Sequence, residues 1–266
     1  MKRIRIGILG GTRGMGLWLA RLLQKGGHTV LPWGRGSWDE IRRLVPRCEV
    51  VVVSVPLRVT LEVIRLVGPW VPREGALMDL SSLKARPVAE MLSSSSSEVV
   101  GLHPLFGPRV RSLKGKTIVL CRARGDHWAS WIEGFFEAEG ARIVEMEPEK
   151  HDLAMASVQV LTHLNTMTMG LVLGELGSPL DESTSLATPV FERRLDMLRK
   201  VFFHNPELYA EIVALNPHSP KILEKYQMAL GRLAPLVQKG DTYRLTNLLV
   251  ESGLQAKLLA GAFRDR

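Results

Sequence analysis

Residues 6–16 have the sequence IGILGGTRGMG, in which a short β-branched run leads directly into closely spaced glycines. The run from Ile4 to Leu9 predicts a strand, and the apolar spacing from Met15 to Lys25 predicts a helix. Glycines between a strand and a helix permit a tight turn and let backbone N–H groups approach a pyrophosphate at the positive end of the helix. This stretch therefore predicts the opening strand, turn and helix of a dinucleotide-binding α/β domain.

The glycine spacing fits the usual dinucleotide pattern imperfectly. When the pattern G-x-G-x-x-G is started at Gly11, Arg13 replaces the middle glycine, and a glycine follows one place later. We still expect the loop to hold a nucleotide, because strand, glycines and helix occur together. The predicted cofactor contacts are Gly10, Gly11, Thr12, Arg13, Gly14, Met15 and Gly16 in this loop, with Arg35, Ser54 and Pro56 at the ends of later strands.

Strand-like and helix-like stretches alternate through the rest of the first half. Continuous apolar runs such as CEVVVVSV suit strands that are buried on both faces of a parallel sheet. This alternation predicts a doubly wound α/β sheet. The further strand candidates are His28–Leu31, Cys48–Val55, Ala76–Leu80, Val99–Leu102, Thr117–Cys121 and Ile143–Met146.

Strand signals end near Pro148, and the second half has the pattern of successive helices. We therefore predict two domains, a dinucleotide-binding domain of the Rossmann type over residues 1–149 and an all-α domain over residues 150–266. The predicted helices are Asp152–Leu176, Leu186–Phe203, Pro206–Asn216, Pro220–Lys239 and Asp241–Ala262.

The segment from Leu153 to Gly174 contains no Asp, Glu, Lys or Arg. It is long enough to cross a bilayer, but its many polar residues, among them Gln159, Thr162 and Asn165, favour burial inside protein. Its apolar surface exceeds what one small helical bundle covers, so we expect a second copy of the chain to cover it. The prediction is a homodimer without a membrane span.

Composition excludes several other classes of protein. The net charge is +8 and hydrophobic residues make up 45%, values that fit a globular chain and exclude disorder as the main state. The basic residues are scattered without interleaved aromatics, so no nucleic-acid partner is expected. The two cysteines, Cys48 and Cys121, lack metal-ligand spacing, which predicts no metal site. With no signal-peptide pattern at the N-terminus, we expect a cytoplasmic protein.

The end of the second predicted strand bears on the choice of nicotinamide cofactor. Dinucleotide folds usually place a carboxylate there for the ribose 2′-OH, or an arginine where a 2′-phosphate must fit. Here the sequence is Pro32-Trp33-Gly34-Arg35, which offers the arginine and lacks the carboxylate. The sequence therefore predicts NADP as the preferred cofactor, with NAD as the alternative.

Three further motifs follow predicted strands. They are Ser54-Val55-Pro56, DLSSLK at residues 79–84 and GLHPLFGP at residues 101–108. The carboxyl ends of the strands are the edge at which open α/β sheets bind ligands. We therefore expect these motifs to line one crevice.

These motifs, with EKHDLAMASVQVLTH at residues 149–163 and TPVFERRLDMLRKVFFHNPELYAEI at residues 188–212, closely resemble the prephenate dehydrogenase family of tyrosine biosynthesis. The resemblance extends over essentially the whole chain. It implies oxidative decarboxylation of prephenate to 4-hydroxyphenylpyruvate, with hydride transfer to NAD(P). It also implies a Rossmann domain followed by an all-helical dimerisation domain, in agreement with the pattern of strands and helices.

The resemblance assigns roles to individual residues. His103 matches the catalytic histidine that hydrogen-bonds the ring 4-hydroxyl and withdraws its proton, and Ser82 matches a serine near the same hydroxyl. His163 matches a histidine of the helical domain that faces the active site, and Gln159 lies one helical turn earlier on the same face. Lys84, two residues after Ser82, is a candidate to hold an anionic substrate.

Lys200 marks a departure from the family pattern. The family commonly has an arginine at this position, where it grips the ring carboxylate; lysine keeps the charge and loses the bidentate fork. Arg199 is adjacent but points about 100° away on a helix. His151 and Asp152 have the pattern of a helix start, and we assign them no catalytic task.

Three alternatives remain open at this point. Arogenate shares the ring carboxylate of prephenate and is the closest alternative substrate. A different two-domain NADP-dependent dehydrogenase or reductase would share the glycine loop, although His103 and His163 together are not expected there. A catalytically silent NADP-binding dimer would bind cofactor without turnover.

Overall fold

The computed structural model describes residues 3–176 and 186–255. The chain forms two compact units, one ending at His218 and the other beginning at Ser219. The predicted helix Asp241–Ala262 is described as far as Gln255, so residues 256–262 lie outside the described residues.

The first unit contains one sheet of seven strands in the order β2-β1-β3-β4-β5-β6-β7. Strands β1 to β5 are mutually parallel, so their carboxyl ends meet at one edge. Strand β6 runs antiparallel to β5, and β7 runs parallel to β6. The strands are β1 (Arg5–Leu9), β2 (Thr29–Trp33), β3 (Val50–Val53), β4 (Ala76–Asp79), β5 (Glu98–Pro104), β6 (Thr117–Arg124) and β7 (Arg142–Glu145).

Helices cover both faces of this sheet, which confirms the predicted doubly wound α/β class. One buried cluster joins Ile6 and Ile8 of the sheet to Leu19 and Phe136, and the other joins Val51 to the opposite layer of helices. Such burial on both faces explains why a central strand such as β3, with the sequence VVVV, is wholly apolar. The helices of this part are α1 (Gly14–Lys25), α2 (Trp38–Leu44), α3 (Leu57–Val67), α4 (Ala85–Ser94) and α5 (His127–Ala138).

After β7 the first unit is helical. Helix α6 (Pro148–Met155) continues through a π-helical turn, the first π turn (Ala156–Val160), into α7 (Leu161–Leu176). Helix α8 (Pro189–Arg199) continues into the second π turn (Lys200–His204), and α9 (Pro206–Leu215) follows. A π turn widens the helix by one residue and is frequent at functional sites.

The second unit contains α10 (Ser219–Gln238) and α11 (Thr242–Gln255), which pack against each other. No residue of α10 is buried, and Met228, Leu230, Leu249 and Val250 are exposed. Within residues 3–176 and 186–255, no helix combines the length and the hydropathy that a membrane-spanning segment requires.

Candidate active site

The glycine loop lies at the point where the sheet changes direction. Strands β1 and β3 are neighbours, yet their chains continue to opposite sides, and a crevice opens at their carboxyl ends. Gly10 has φ +79°, and a Cβ atom there would collide with the carbonyl oxygen of Ser54. Only glycine permits so close an approach between the loop after β1 and the turn after β3.

The N-terminus of α1 suits an anionic group. The first turn of α1 has neither a side-chain cap nor an acidic residue, so its N–H groups are left for an external acceptor. A Cβ atom at Gly16 would collide with the carbonyl oxygen of Gly10, so the helix packs tightly under the loop. The residues present therefore fit the pyrophosphate of a dinucleotide.

A cavity of about 440 Å³ opens beside this loop. Six of the predicted cofactor residues line it: Gly10, Thr12, Arg13, Arg35, Ser54 and Pro56. Gly14 and Met15 line an adjoining cavity of about 470 Å³ that also contains Arg13, Ser54 and Pro56. Gly11 and Gly16 are buried and line neither cavity; they let the loop pack closely.

The charged lining of the cofactor cavity includes two residues that the sequence analysis missed, Arg58 and Glu62. Arg58, at the start of α3, lines the cavity and forms ion pairs with Glu207 and Glu211 of α9. Arg35 is exposed after β2, whereas the neighbouring Trp33 is buried in the core. No sequence signal linked Arg58 to helix α9, because the pairing joins residues about 150 positions apart.

The three strand-end motifs and the helical half meet around a second cavity, the substrate cavity, of about 530 Å³. Met15 and Leu208 line both this cavity and the one beside the glycine loop, so the two are adjacent. Five predicted site residues line the substrate cavity: Ser82, His103, Gln159, His163 and Lys200. Gln159 and Lys200 lie in the first and second π turns.

His103 lies near the carboxyl end of β5, at the floor of the substrate cavity. The side chain is buried, and its Nε2 atom lies 3.4 Å from the amide nitrogen of Gln159. Burial, followed by the neighbouring His151 and Lys84, holds the pKa of His103 well below its usual value. The imidazole is therefore neutral near pH 7, as a general base must be.

His151 and Asp152 do not behave as a simple helix start. His103 Nδ1 lies 2.8 Å from His151 Nε2, and His151 Nδ1 lies 2.8 Å from Asp152 Oδ1. Both side chains are buried. The carboxylate of Asp152 also accepts hydrogen bonds from the backbone N–H groups of Lys84 and Ala85, at 2.8 and 3.0 Å.

Lys84 is not placed to hold a substrate. Its side chain is 0% exposed, and its ammonium pairs with Asp79 and donates to the carbonyl oxygen of Leu102 at 3.0 Å. Lys84 does not line the substrate cavity, although Ser82, two residues earlier, does. The expected contact between Lys84 and an anionic substrate is therefore replaced by an internal ion pair.

Two buried polar atoms in the substrate cavity have no hydrogen-bond partner among the described residues, Oε1 of Gln159 and Nδ1 of His163. Buried polar groups are normally satisfied, so both are available to a ligand. Burial lowers the pKa of His163, which keeps its imidazole neutral. Its ring packs edge-on against Tyr209 of α9, a residue that sequence reasoning did not single out.

Lys200 is the lysine of the substrate cavity, and the described residues include no carboxylate in ion-pair contact with it. The neighbouring Arg199 does not line the cavity and pairs with Asp196 at 3.2 Å. The difference between these adjacent cations agrees with their expected directions on the helix.

Comparison with known proteins adds to this geometry. Residues 36–145 match the family described as prephenate dehydrogenase, nucleotide-binding domain, and residues 147–251 match prephenate dehydrogenase, dimerization domain. The chain belongs to the prephenate dehydrogenase family. The predicted family and the predicted order of a Rossmann-type domain and a helical domain are thereby confirmed.

Individual relatives agree with this family. The chain is 32% identical to the T-protein of Enterobacter agglomerans over 234 residues, 88% of this chain and 62% of that protein. It is 31% identical to a probable arogenate/prephenate dehydrogenase of Methanocaldococcus jannaschii over 269 residues, 94% of this chain and 60% of that protein. The chain thus spans less than two thirds of the length of these relatives.

A solved structure of the prephenate dehydrogenase family has the same fold. The enzyme from A. aeolicus, in complex with hydroxyphenyl propionate and NAD+, superimposes with a TM-score of 0.75 at 18% identity. The match covers 97% of this chain and 99% of that one.

Proposed function

We propose that this chain catalyses the NAD(P)-dependent oxidative decarboxylation of prephenate to 4-hydroxyphenylpyruvate. The observation that carries the proposal is the position of neutral His103 at the floor of a cavity that also contains Lys200 and adjoins the glycine loop. Family membership and the names of the relatives support the same reaction.

The cofactor would lie along the glycine loop, with its pyrophosphate at the N-terminus of α1 and its reacting end toward the substrate cavity. When bound, the nicotinamide supplies the hydride acceptor for ring carbon C4. Met15 lines both adjoining cavities, and its side chain would lie near the boundary between cofactor and substrate.

His103 would accept the proton of the ring 4-hydroxyl at Nε2 as hydride leaves C4. The bond to the ring carboxylate then breaks, its electron pair enters the ring, and CO2 departs. The phenolate oxygen recovers its proton from His103, so the reaction releases no net proton. Ser82, which lines the same cavity, would hold the hydroxyl in position for the transfer.

Lys200 would bind the ring carboxylate, because it is the lysine in the cavity lining and has no ion-pair partner among the described residues. The side-chain end of the substrate would meet Gln159, whose unpartnered Oε1 accepts a hydrogen bond, and His163, whose unpartnered Nδ1 accepts or donates one. Arogenate carries an amino acid in place of the pyruvyl group and shares the other contacts, so it is the comparison substrate.

For the cofactor, we propose a preference for NADP. Arg35 follows β2 and lines the cofactor cavity. The carboxylate among the lining residues is that of Glu62 in α3. It does not follow β2, the position from which a carboxylate usually binds the ribose hydroxyl. Arg13 lines the same cavity and shares the positive charge.

For assembly, we propose a homodimer. The two helices of the second unit expose apolar side chains and bury none along α10, and Leu171 and Val172 of α7 are exposed within the first unit. Exposed apolar surface of this extent marks an interface, and the matched helical family is described as a dimerization domain. A second copy of this chain would cover the exposed apolar side chains and agrees with the description of the matched family.

For location, we propose the cytoplasm. Cys48 and Cys121 are both free and buried, which suits a reducing compartment. Reduced thiols in protein isolated without reductant would agree with this.

A steady-state assay that crosses prephenate and arogenate with NAD and NADP tests the proposed reaction. We expect prephenate-dependent formation of reduced cofactor, fastest with NADP. Turnover of arogenate alone would correct the substrate. Cofactor binding without turnover of either substrate would contradict the reaction and favour a silent NADP-binding dimer.

A further inference from the structure

Three hydrogen bonds connect the substrate cavity to the interior of the first unit. A carboxylate oxygen can only accept, so the 2.8 Å contact with Asp152 Oδ1 places a proton on Nδ1 of His151 and makes Nε2 of His151 an acceptor. Nδ1 of His103, 2.8 Å from that Nε2, is then the donor. Nε2 of neutral His103 is left without a proton and lies 3.4 Å from the amide of Gln159 at the substrate cavity. The carboxylate of Asp152 thus fixes both tautomers.

The chain of hydrogen bonds ends inside the protein. Asp152 is 2% exposed, and its two oxygens also accept from the backbone N–H groups of Lys84 and Ala85. The amide of Asn216 donates to the backbone carbonyl of Asp152 at 2.9 Å and holds this residue further. The two carboxylate oxygens of Asp152 therefore accept hydrogen bonds from three N–H groups, those of His151, Lys84 and Ala85, which hold the carboxylate in place.

We propose that His151 and Asp152 form a positioning pair that takes over the positive charge produced when His103 accepts the substrate proton. As the hydroxyl proton binds Nε2 of His103, the Nδ1 proton of His103 moves to Nε2 of His151. The charge then rests on His151, in contact with the carboxylate of Asp152. When the phenolate recovers its proton, both transfers reverse. The proposal rests on the proposed function, and no proton is gained or lost.

The surroundings of the two histidines favour this transfer. Among the described residues, the ring nitrogens of His103 contact His151 and Gln159, and neither of these is a carboxylate. His151, in contrast, contacts Asp152 directly. A buried carboxylate in contact with an imidazole both orients the ring and stabilises its charged form. The transfer suits a reaction that releases no net proton, because the proton returns to the substrate oxygen in the last step.

Other ionisable groups surround the pair from each neighbouring element. Lys84 and Asp79 come from the end of β4 and the turn after it, and they compensate each other as an ion pair. Cys121 of β6 is buried, and burial raises its pKa to about 12, so it stays a neutral thiol. Glu147 precedes α6 and accepts the backbone N–H of His151 through its carbonyl. Asp152 is the described carboxylate that contacts the ring of His151.

Two substitutions separate charge transfer from mere packing. In His151→Gln, the amide oxygen can still accept the hydrogen bond from His103 but cannot take a proton. In Asp152→Asn, the shape is kept and the charge is removed. We expect each variant to lose about ten- to hundredfold in kcat, with KM values for substrate and cofactor changed by less than about twofold.

The pH dependence of kcat distinguishes charge transfer from a role in packing alone, because a packing role would not shift this profile. Both variants weaken the base, so the acid limb of the kcat profile should shift to lower pH. The matched control is His28→Gln, the same substitution at another buried histidine in an unrelated aromatic cluster, which should leave the acid limb at the native pH. Variants with reduced kcat and an unmoved acid limb, or with unchanged kcat, would overturn the proposal.

Nitrogen-15 NMR of the histidine-labelled native protein tests the relay without turnover. We expect His103 and His151 each to carry the proton on Nδ1 and an unprotonated Nε2. A protonated Nε2 on resting His151 would overturn the relay, because that atom could not accept a proton. If the native enzyme turns over neither prephenate nor arogenate, the proposed function fails, and the NMR result still decides the relay.

Discussion

The ring of His163 packs edge-on against the ring of Tyr209, with centroids 4.8 Å apart at an interplanar angle of 76°. His163 comes from α7 and Tyr209 from α9, and both line the substrate cavity. The contact fixes the plane of the imidazole and thereby the direction of its unpartnered Nδ1 atom. A residue without a reactive role of its own thus sets the geometry of a predicted substrate contact.

Tyr209→Leu should weaken substrate binding, because an edge-on aromatic pair contributes about 0.5–1.5 kcal/mol beyond its buried area. We expect a rise of about two- to tenfold in KM for prephenate, with the KM for cofactor unchanged. Tyr209→Phe keeps the ring contact and serves as the matched control. Equal effects of the two variants in steady-state assays would contradict a positioning role for the ring.

His103→Ala should lower kcat by about 10²–10⁴-fold, the usual contribution of a positioned general base. Cofactor binding, measured by titration of the apoprotein, should stay nearly unchanged, since His103 lies outside the cofactor cavity. A variant with near-native kcat would remove His103 from the mechanism.

Lys200→Ala should act mainly through KM, because the ring carboxylate is bound as an anion before it leaves. Loss of a charge-assisted contact should raise KM for prephenate about ten- to hundredfold. Lys200→Arg should be tolerated or improve binding through its bidentate fork. Arg199→Ala removes an adjacent cation outside the cavity and should leave KM unchanged; the opposite ranking would place the carboxylate at Arg199.

NADP should be preferred over NAD by about ten- to hundredfold in kcat/KM, the range that a charge-assisted contact to the 2′-phosphate supplies. Arg35→Ala should remove most of this difference, and Arg42→Ala, which removes an exposed arginine of α2, should not. A native enzyme that uses NAD as well as NADP would show that the missing carboxylate after β2 does not set the preference.

His28→Phe should stabilise the folded chain. His28 is buried against Trp131 and Phe135, and neither of its ring nitrogens has a partner among the described residues. Replacing unsatisfied buried polar atoms with an apolar ring of similar shape should raise the free energy of unfolding by about 1 kcal/mol. Urea denaturation at pH 8 measures the difference.

The same variant should lose part of the acid sensitivity of the fold. Burial lowers the pKa of His28 in the folded state, whereas the unfolded chain has the ordinary value near 6.5. Below that pH the unfolded state binds a proton that the folded state does not, so the free energy of unfolding falls. The fall between pH 7 and 5.5 should be smaller in His28→Phe and unchanged in His127→Phe, at the start of α5. An equal fall in native protein and His28→Phe would contradict the assignment.

The fold was well predicted from the sequence, because the spacing of apolar residues and the placement of glycines depend only on residues that are close together in the chain. The runs around Val51 and the loop at Gly10 specify buried strands and a tight turn without reference to distant residues. The reversal of β6 against β5 had no such signal, because a buried strand has the same composition in either direction. The boundary at residue 149 stays a prediction.

The site was predicted less completely, since its missing parts depend on partners far along the chain. Lys84 was predicted to hold an anionic substrate, and only the fold brings Asp79 and the Leu102 carbonyl to its ammonium. The residues around His151 and Asp152 have the local sequence pattern of a helix start. That pattern does not predict the contacts of these two residues with His103 and with the turn at residues 84–85.

The two π turns have a consequence for how this protein tolerates insertions and deletions. Each turn holds one residue more than a regular helical turn, and each includes a residue of the substrate cavity, Gln159 in one and Lys200 in the other. Removing a single residue from either turn would restore an ordinary helix and leave the flanking segments helical. The side chain at the turn would nevertheless rotate by about 100° away from the cavity. We therefore expect a one-residue deletion in either turn to preserve the fold and to remove Gln159 or Lys200 from the lining of the substrate cavity.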